Sequence, residues 1–405
     1  MTESSVSASS SKYLAPLLIL GTMFFAIGFA LGINAYLIPL LEQALSLNSS
    51  QSYLVLAATF SAFLLLGYPA SLVIARIGYK KTMALSFLFF ALGFLLFLPS
   101  ARLESLPLFL LASFISGTGN TFLQASVNPY VTILGPIESA ARRISIMGIA
   151  NKLAWPVAPL VLSLVIGKSV GDVALSDTRL PFIGISILFL LLGLLALLAP
   201  LPEVSATGER EEDAQDCPYA AGKSSVWQFP HLLLGVLALF LYVGIETVAL
   251  GSLVDYAESL GLAHPELYAW IAPLGMVAGY LAGIALIPRY LSQSTALLIV
   301  TLIALAGSLA VVLVPPALSI YFVGLIALGC SLMWPALWPL AMTDLGRFTK
   351  AGGSLMVIAI VGGALLPLLY GALKDRIGAQ QAYLLGIPVF LYILFYALRG
   401  HKIRN

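Results

Sequence analysis

The chain has 405 residues, of which 60% are hydrophobic and 9% charged, with a formal net charge of +2, and its mean hydropathy is +1.00. A water-soluble domain needs far more charge to cover its surface, so a soluble fold is excluded. The apolar runs are too long and too uniform for the alternating strands of a transmembrane barrel, which leaves an all-α membrane protein that crosses the bilayer many times.

In chain order, the polar start "MTESSVSASSSKY" (1–13) reads as a disordered N-terminus. The apolar run behind it is too long for a signal-peptide core and has no small-residue cleavage site, so it reads as an uncleaved first span. Six spans are expected at 14–41, 53–75, 82–99, 107–133, 144–167 and 181–201, forming an N-terminal bundle over 14–201. The longest polar segment, 202–229, is rich in charge and small residues and suits a flexible cytoplasmic linker. Six more spans follow at 230–254, 267–288, 293–315, 317–343, 352–373 and 382–398, forming a C-terminal bundle over 230–398 with a tail at 399–405. With the N-terminus inside, cytoplasmic segments hold fourteen of the 20 Lys and Arg, the opposite segments hold five, and Lys152 is left within a span. That asymmetry places both termini in the cytoplasm.

The two halves echo each other. "NPYVTILGPIESAARRISIMGIANKLAWP" and "WPLAMTDLGRFTKAGGSLMVIAIVGGALLP" each set a proline near the cytoplasmic end of a helix, followed by a basic, Gly-containing loop. A second proline comes 27 residues later in the first (Pro129 to Pro156) and 28 later in the second (Pro339 to Pro367). Two parallel six-helix repeats imply a transporter whose site lies near mid-membrane, between the halves.

Polar residues inside the spans are the candidates for that site. In the fourth span, "GTGNTFLQASVNPY" places Asn120, Gln124 and Asn128 at i, i+4 and i+8, a stripe of amides on one face. Carboxamides offer donors and acceptors together, as sugar hydroxyls require; the competing role is hydrogen bonding between helices. Asn34, about a turn before Pro39 in the first span, has the same two readings. Lys152 in "GIANKLAWP" and Glu246 in "LFLYVGIETVALGS" are charges deep in the fifth and seventh spans. A charge at that depth is costly unless paired or hydrated, so these two are expected to form or modulate a coupling site; the sequence leaves open whether they touch. Asn151, beside Lys152, joins the candidate substrate contacts.

Trp334 and Trp338 stand at i and i+4 in "SLMWPALWP" of the tenth span. Sugar C–H faces pack on indoles, while Trp338, near the span's end, also suits an interfacial belt. Toward the cytoplasm, Arg76, Lys80, Lys81, Glu138, Arg142 and Asp344 are expected to form a gate. No nucleotide-binding loop, nucleophile elbow or zinc-protease pair is present, so no enzyme is expected. The three His and two Cys form no metal-spaced group, and neither a cofactor, a metal nor a Cys217–Cys330 disulfide is expected.

The segment "QASVNPYVTILGPIESAARRISIMGIANK" resembles the signature region of bacterial glucose/galactose transporters, a group of the fucose:proton symporter family in the major facilitator superfamily. The resemblance extends through "LYVGIETVALG", "WPALWPLAMTDLGRFTKAGGSLM" and "GGALLPLLYGALKD", and so covers nearly the whole chain. It implies twelve helices in two six-helix bundles and secondary import of a hexose by alternating access. It also implies a co-transported proton, with sodium left open. The same group is similar to N-acetylglucosamine permeases, so the sugar itself stays open. Fucose permeases carry an Asp in the first helix and a Glu in the fourth; the equivalent positions here are Ala35 and Gln124, neither of which can carry a proton. Glu246 then becomes the leading proton site. In "ARIGYKK", Ala75 replaces the acid usual in the basic loop between helices 2 and 3.

The resulting expectation is a monomeric hexose transporter of the bacterial inner membrane, with the lipid bilayer as its surroundings and no nucleic-acid partner. Drug efflux and a non-transporting sugar sensor are its rivals.

Overall fold

The computed structural model describes residues 4–133, 140–168, 172–201, 218–287 and 290–404. Twelve helices among them are long and apolar enough to cross a membrane. In the N-terminal half these are α1 (Pro16–Ala44), α2 (Ser49–Ile74), α3 (Arg76–Arg102), α4 (Leu106–Asn128), α5 (Arg143–Ile166) and α6 (Leu175–Leu198). In the C-terminal half they are α7 (Pro230–Gly251), α8 (Pro265–Leu286), α9 (Gln293–Leu313), α10 (Pro316–Met342), α11 (Ala351–Ile377) and α12 (Ala379–Lys402).

Two details depart from the sequence expectation. The helix that contains α1 begins at Ser4, so the polar N-terminus is helical from there rather than disordered. The basic loop expected between the second and third spans shrinks to one backbone break at Gly78, near the start of α3, whose φ of 80° is open to glycine and strained for other residues.

Outward leucines such as Leu164, Leu198 and Leu313 are 72%, 73% and 79% exposed, because lipid rather than water surrounds them. Without a hydrophobic drive between helices in lipid, cohesion comes from close packing, and small residues permit it. A β-carbon on Gly28 in α1 would collide with the Asn151 carbonyl oxygen of α5, and one on Gly362 in α11 with the Phe240 carbonyl oxygen of α7. Likewise Gly117 of α4 sits against the Thr59 backbone of α2, and Gly275 of α8 against the Gly324 backbone of α10. Helix pairs 1/5 and 2/4 thus correspond to pairs 7/11 and 8/10, which is what two copies of one six-helix plan require. Aromatic stacking adds to this in the first half, where Phe87, Phe90, Phe94 and Phe97 of α3 share one face. Phe90 stacks on Phe189 of α6 with ring centroids 4.9 Å apart.

The halves meet along two seams. Phe60 of α2 packs against Gly363 of α11, and a β-carbon added at Gly148 of α5 would stand 3.3 Å from the Tyr280 ring of α8.

Candidate functional site

Between the seams lies a cavity of ≈ 130 Å³, lined by residues of α1, α2, α4 and α5 from one half and α7, α8, α10 and α11 from the other. One water needs about 10–15 Å³ by the same measure, so the space holds several waters or a small polar molecule. Its walls coincide with breaks in helix regularity. Pro156 and Pro159 lie inside α5; Pro156 has no N–H to offer the Lys152 carbonyl four residues earlier. The α10 helix is interrupted at Leu332, just before Trp334. A 3-10 turn, Ala359–Val361, interrupts α11 at the cavity residue Ile360. Irregular backbone at membrane depth is tolerated where it borders a water-accessible space.

Two opposite charges meet across this space. Lys152 Nζ of α5 stands 3.2 Å from Glu246 Oε1 of α7, with the side chains 13% and 10% exposed. Tyr242, one turn before Glu246, donates its hydroxyl to the same Oε1 at 2.6 Å. The pair therefore joins the two halves, and Tyr242 is a cavity residue that the sequence reading missed. Its signal was present: a Tyr four residues before an intramembrane Glu lies on the same helix face.

Gln124, Asn128, Asn151 and Trp334 also line the cavity. Asn151 Nδ2 donates to the Phe24 carbonyl at 3.1 Å, which ties α5 to α1 beside the ion pair. Three other candidates do not reach the cavity wall. Asn34 is fully buried and donates to Thr59 Oγ1 at 2.9 Å, so it fastens α1 to α2. Asn120 is buried behind Gln124 and accepts from its Nε2 at 2.7 Å. Trp338 stacks on Trp334 with centroids 5.4 Å apart and so backs the indole that faces the cavity.

The gate candidates are not assembled in this conformation. Arg76, Lys80 and Lys81 make no ion pair among the described residues. Asp344 pairs within its own half, with Arg404 Nη2 at 3.2 Å. Glu138 and the side chain of Arg142 lie outside the described residues.

The halves are fastened instead on the face away from the linker and the C-terminus. From Leu31 in the cavity wall to Glu42 is eleven residues of α1, about 16 Å along its axis. There Lys374 Nζ of α11 reaches Glu42 Oε1 of α1 at 3.2 Å and Asp255 Oδ1, in the Leu253–Ser259 helix after α7, at 2.6 Å. Tyr53 of α2 donates to the other Asp255 oxygen at 3.0 Å. Asp375 accepts the backbone N–H groups of Ser49 and Ser50 at 2.8 and 3.0 Å, capping the start of α2 from the opposite half. Free N–H groups at a helix start, with the helix dipole behind them, favour a carboxylate there.

The comparisons agree with this architecture. The profile described as Major Facilitator Superfamily matches residues 18–356. The chain is similar to the "Glucose/galactose transporter" of Brucella abortus biovar 1 (strain 9-941), 33% identical over 408 residues that cover 98% of this chain and 96% of that one. It is also similar to the "L-fucose-proton symporter" of Escherichia coli (strain K12), 28% identical over 420 residues covering 96% and 93%. Among solved structures, the major facilitator superfamily transporter FucP in the outward conformation superposes with a TM-score of 0.71 at 25% identity, covering 96% of this chain and 99% of that one.

Proposed function

Because this chain belongs to the major facilitator superfamily, we propose that it imports a hexose across a bacterial inner membrane by alternating access, working as a monomer and coupled to protons. The observation that carries the reading is the Lys152–Glu246 pair, which spans the halves beside the amides of Gln124, Asn128 and Asn151. The relatives named for glucose, galactose and fucose transport support a hydroxylated substrate. The excess of Lys and Arg in linker-side segments supports placing that face in the cytoplasm. The fastened face is then external.

In this reading the amides bind hydroxyls by donating and accepting, and the Trp334 indole packs against the C–H face of the ring. The Glu246 carboxylate holds the Lys152 ammonium only while it is ionised. A proton on Glu246 removes that attraction, frees the ammonium to donate to the sugar, and loosens a charged tie at cavity depth between the halves. Proton and sugar then favour the same rearrangement, which is the linkage that coupled transport needs.

The test is an uptake panel in proteoliposomes: labelled glucose, galactose, fucose, mannose and N-acetylglucosamine, each with and without imposed proton and sodium gradients. Concentrative uptake of at least one hexose driven by the proton gradient is the expected result. Uptake of none, or drive by sodium alone, refutes the reading.

A pair of substitutions separates cavity amides from packing amides. Gln124→Ala is expected to raise KM about tenfold, the loss of one or two substrate hydrogen bonds. Asn34→Ala should leave KM unchanged and instead lower stability by about 1 kcal/mol, read as an earlier thermal unfolding midpoint, because its bond to Thr59 is made inside the protein.

A further inference from the structure

The fastening on the face away from the linker contains more acid than base. Glu42, Asp255 and Glu258 gather around the single ammonium of Lys374, which is already engaged by Asp255 and Glu42. We propose that this fastening is a pH-sensitive latch, in which Glu258 takes up a proton as the halves close and gives it up as they part.

Geometry singles out Glu258 among the three. Asp255 is buried, lies at 2.6 Å from Lys374, and receives a hydrogen bond from Tyr53, so it is the anion of the pair. Glu42 receives Lys374 together with the hydroxyls of Ser49 and Ser52. Glu258, one turn beyond Asp255, has a buried Oε2 with no hydrogen-bond partner among the described residues. Among the described residues, the charges that act on it are the carboxylates of Asp255, from its own helix, and Glu42, from α1, opposed by the ammonium of Lys374 from α11. Tyr36 of α1 stands near both Glu258 and Glu266 of α8, and Glu266 is itself 3.3 Å from His264.

Burial, followed by the charges of Asp255 and Glu42, pushes the Glu258 carboxyl above its ordinary range, with Lys374 opposing. Glu42 and Tyr53 belong to the other half and depart when the halves separate. Water then reaches the acids and Glu258 returns toward the ordinary Glu value of about 4.3. Closure thus raises the affinity for a proton, so acid favours the closed latch and its excess stability is lost as pH rises through the raised value. Each unit of that rise multiplies the closed-to-open ratio by about 10 across the titration. Acidity on this face would therefore withdraw the empty protein from the state open to that face, whatever its substrate.

The test uses the full chain in lipid nanodiscs with Cys217→Ser, spin labels on Ala44→Cys and Ile377→Cys, and distances measured by pulsed electron resonance. Both label sites are exposed and lie in opposite halves beside the latch, and Cys330 is buried. From about pH 4.3, the ordinary Glu value, up to about pH 8, the short-distance population is expected to fall. Glu258→Gln, which stays neutral, should hold that population high at both values. A distribution that ignores pH in the unmodified latch overturns the proposal, as does a shift that survives Glu258→Gln.

Discussion

Lys152→Met is expected to lower transport on the order of 100-fold and to abolish concentrative uptake. The substitution keeps an unbranched side chain of nearly the same length and removes its charge, leaving Glu246 at 10% exposure with the Tyr242 hydroxyl as its hydrogen-bond partner among the described residues. Removing one member of a buried pair costs about 3–5 kcal/mol, because the survivor is left desolvated and unpaired. The cheapest escape is for Glu246 to stay protonated. A protein locked in that state has lost the step at which a proton is released, so sugar can at best equilibrate. Glu246→Gln should lose proton drive for the complementary reason while keeping some exchange of sugar across the membrane, since the Lys152 ammonium still lines a wet cavity. The double variant Lys152→Met with Glu246→Gln is the informative one. It leaves no orphaned charge, so its thermal stability should exceed that of Lys152→Met, with a coupling energy of at least about 1 kcal/mol in the four-member cycle. Single effects that simply add would show that the pair is not energetically joined, and the coupling role of Lys152 would fall with it.

How much of this was legible beforehand depends on what each residue's signal consists of. Spans are written in composition, and all twelve were placed from apolar length, with shifted edges where polar residues continue a helix, as at Ser4, or where one glycine does the work of a loop, as at Gly78. Lys152 and Glu246 stood out because charge at mid-span is rare. Their contact did not, since 94 residues (152 to 246) and two bundles separate them. Amides were harder to sort. Asn120 and Asn128 are eight residues apart, which is about 12 Å along the axis and about 80° of rotation; that suffices to put Asn128 on the cavity and Asn120 behind it. Asn34 carries the same chemistry as a binding amide, and only the Thr59 hydroxyl on the neighbouring helix reveals it as a packing contact. The latch was invisible for a different reason. Glu42, Asp255 and Lys374 sit at span ends, where charges are commonplace, and only the tertiary fold brings together residues 332 apart in sequence. Charge runs make the basic linker-side gate conspicuous in the sequence, while this conformation is fastened on the other face.

Gly28→Ala is expected to be the most damaging single-methyl change in the N-terminal half. The added carbon has nowhere to go: it would meet the carbonyl oxygen and carbon of Asn151, backbone atoms of α5 that cannot swing aside as a side chain can. Relief requires α1 and α5 to separate, which strips contacts along the whole pair and costs roughly 3 kcal/mol, the upper end for overpacking. Because Asn151 and Lys152 are adjacent, the same displacement moves the ammonium relative to Glu246, so transport should fall together with the thermal unfolding midpoint. Gly21→Ala, two turns earlier on the same helix, meets nothing within 4 Å and serves as the control. There the helix propensity of alanine should leave the protein as stable or up to about 1 kcal/mol more stable. The repeat supplies a second arm. Gly362 presses on the Phe240 carbonyl in the corresponding pair α7/α11, so Gly362→Ala should reproduce the destabilisation in the other half. If Gly28→Ala and Gly21→Ala unfold at the same temperature, backbone contact between α1 and α5 is not what sets the position of Lys152, and the route from glycine spacing to the ion pair would have to be redrawn.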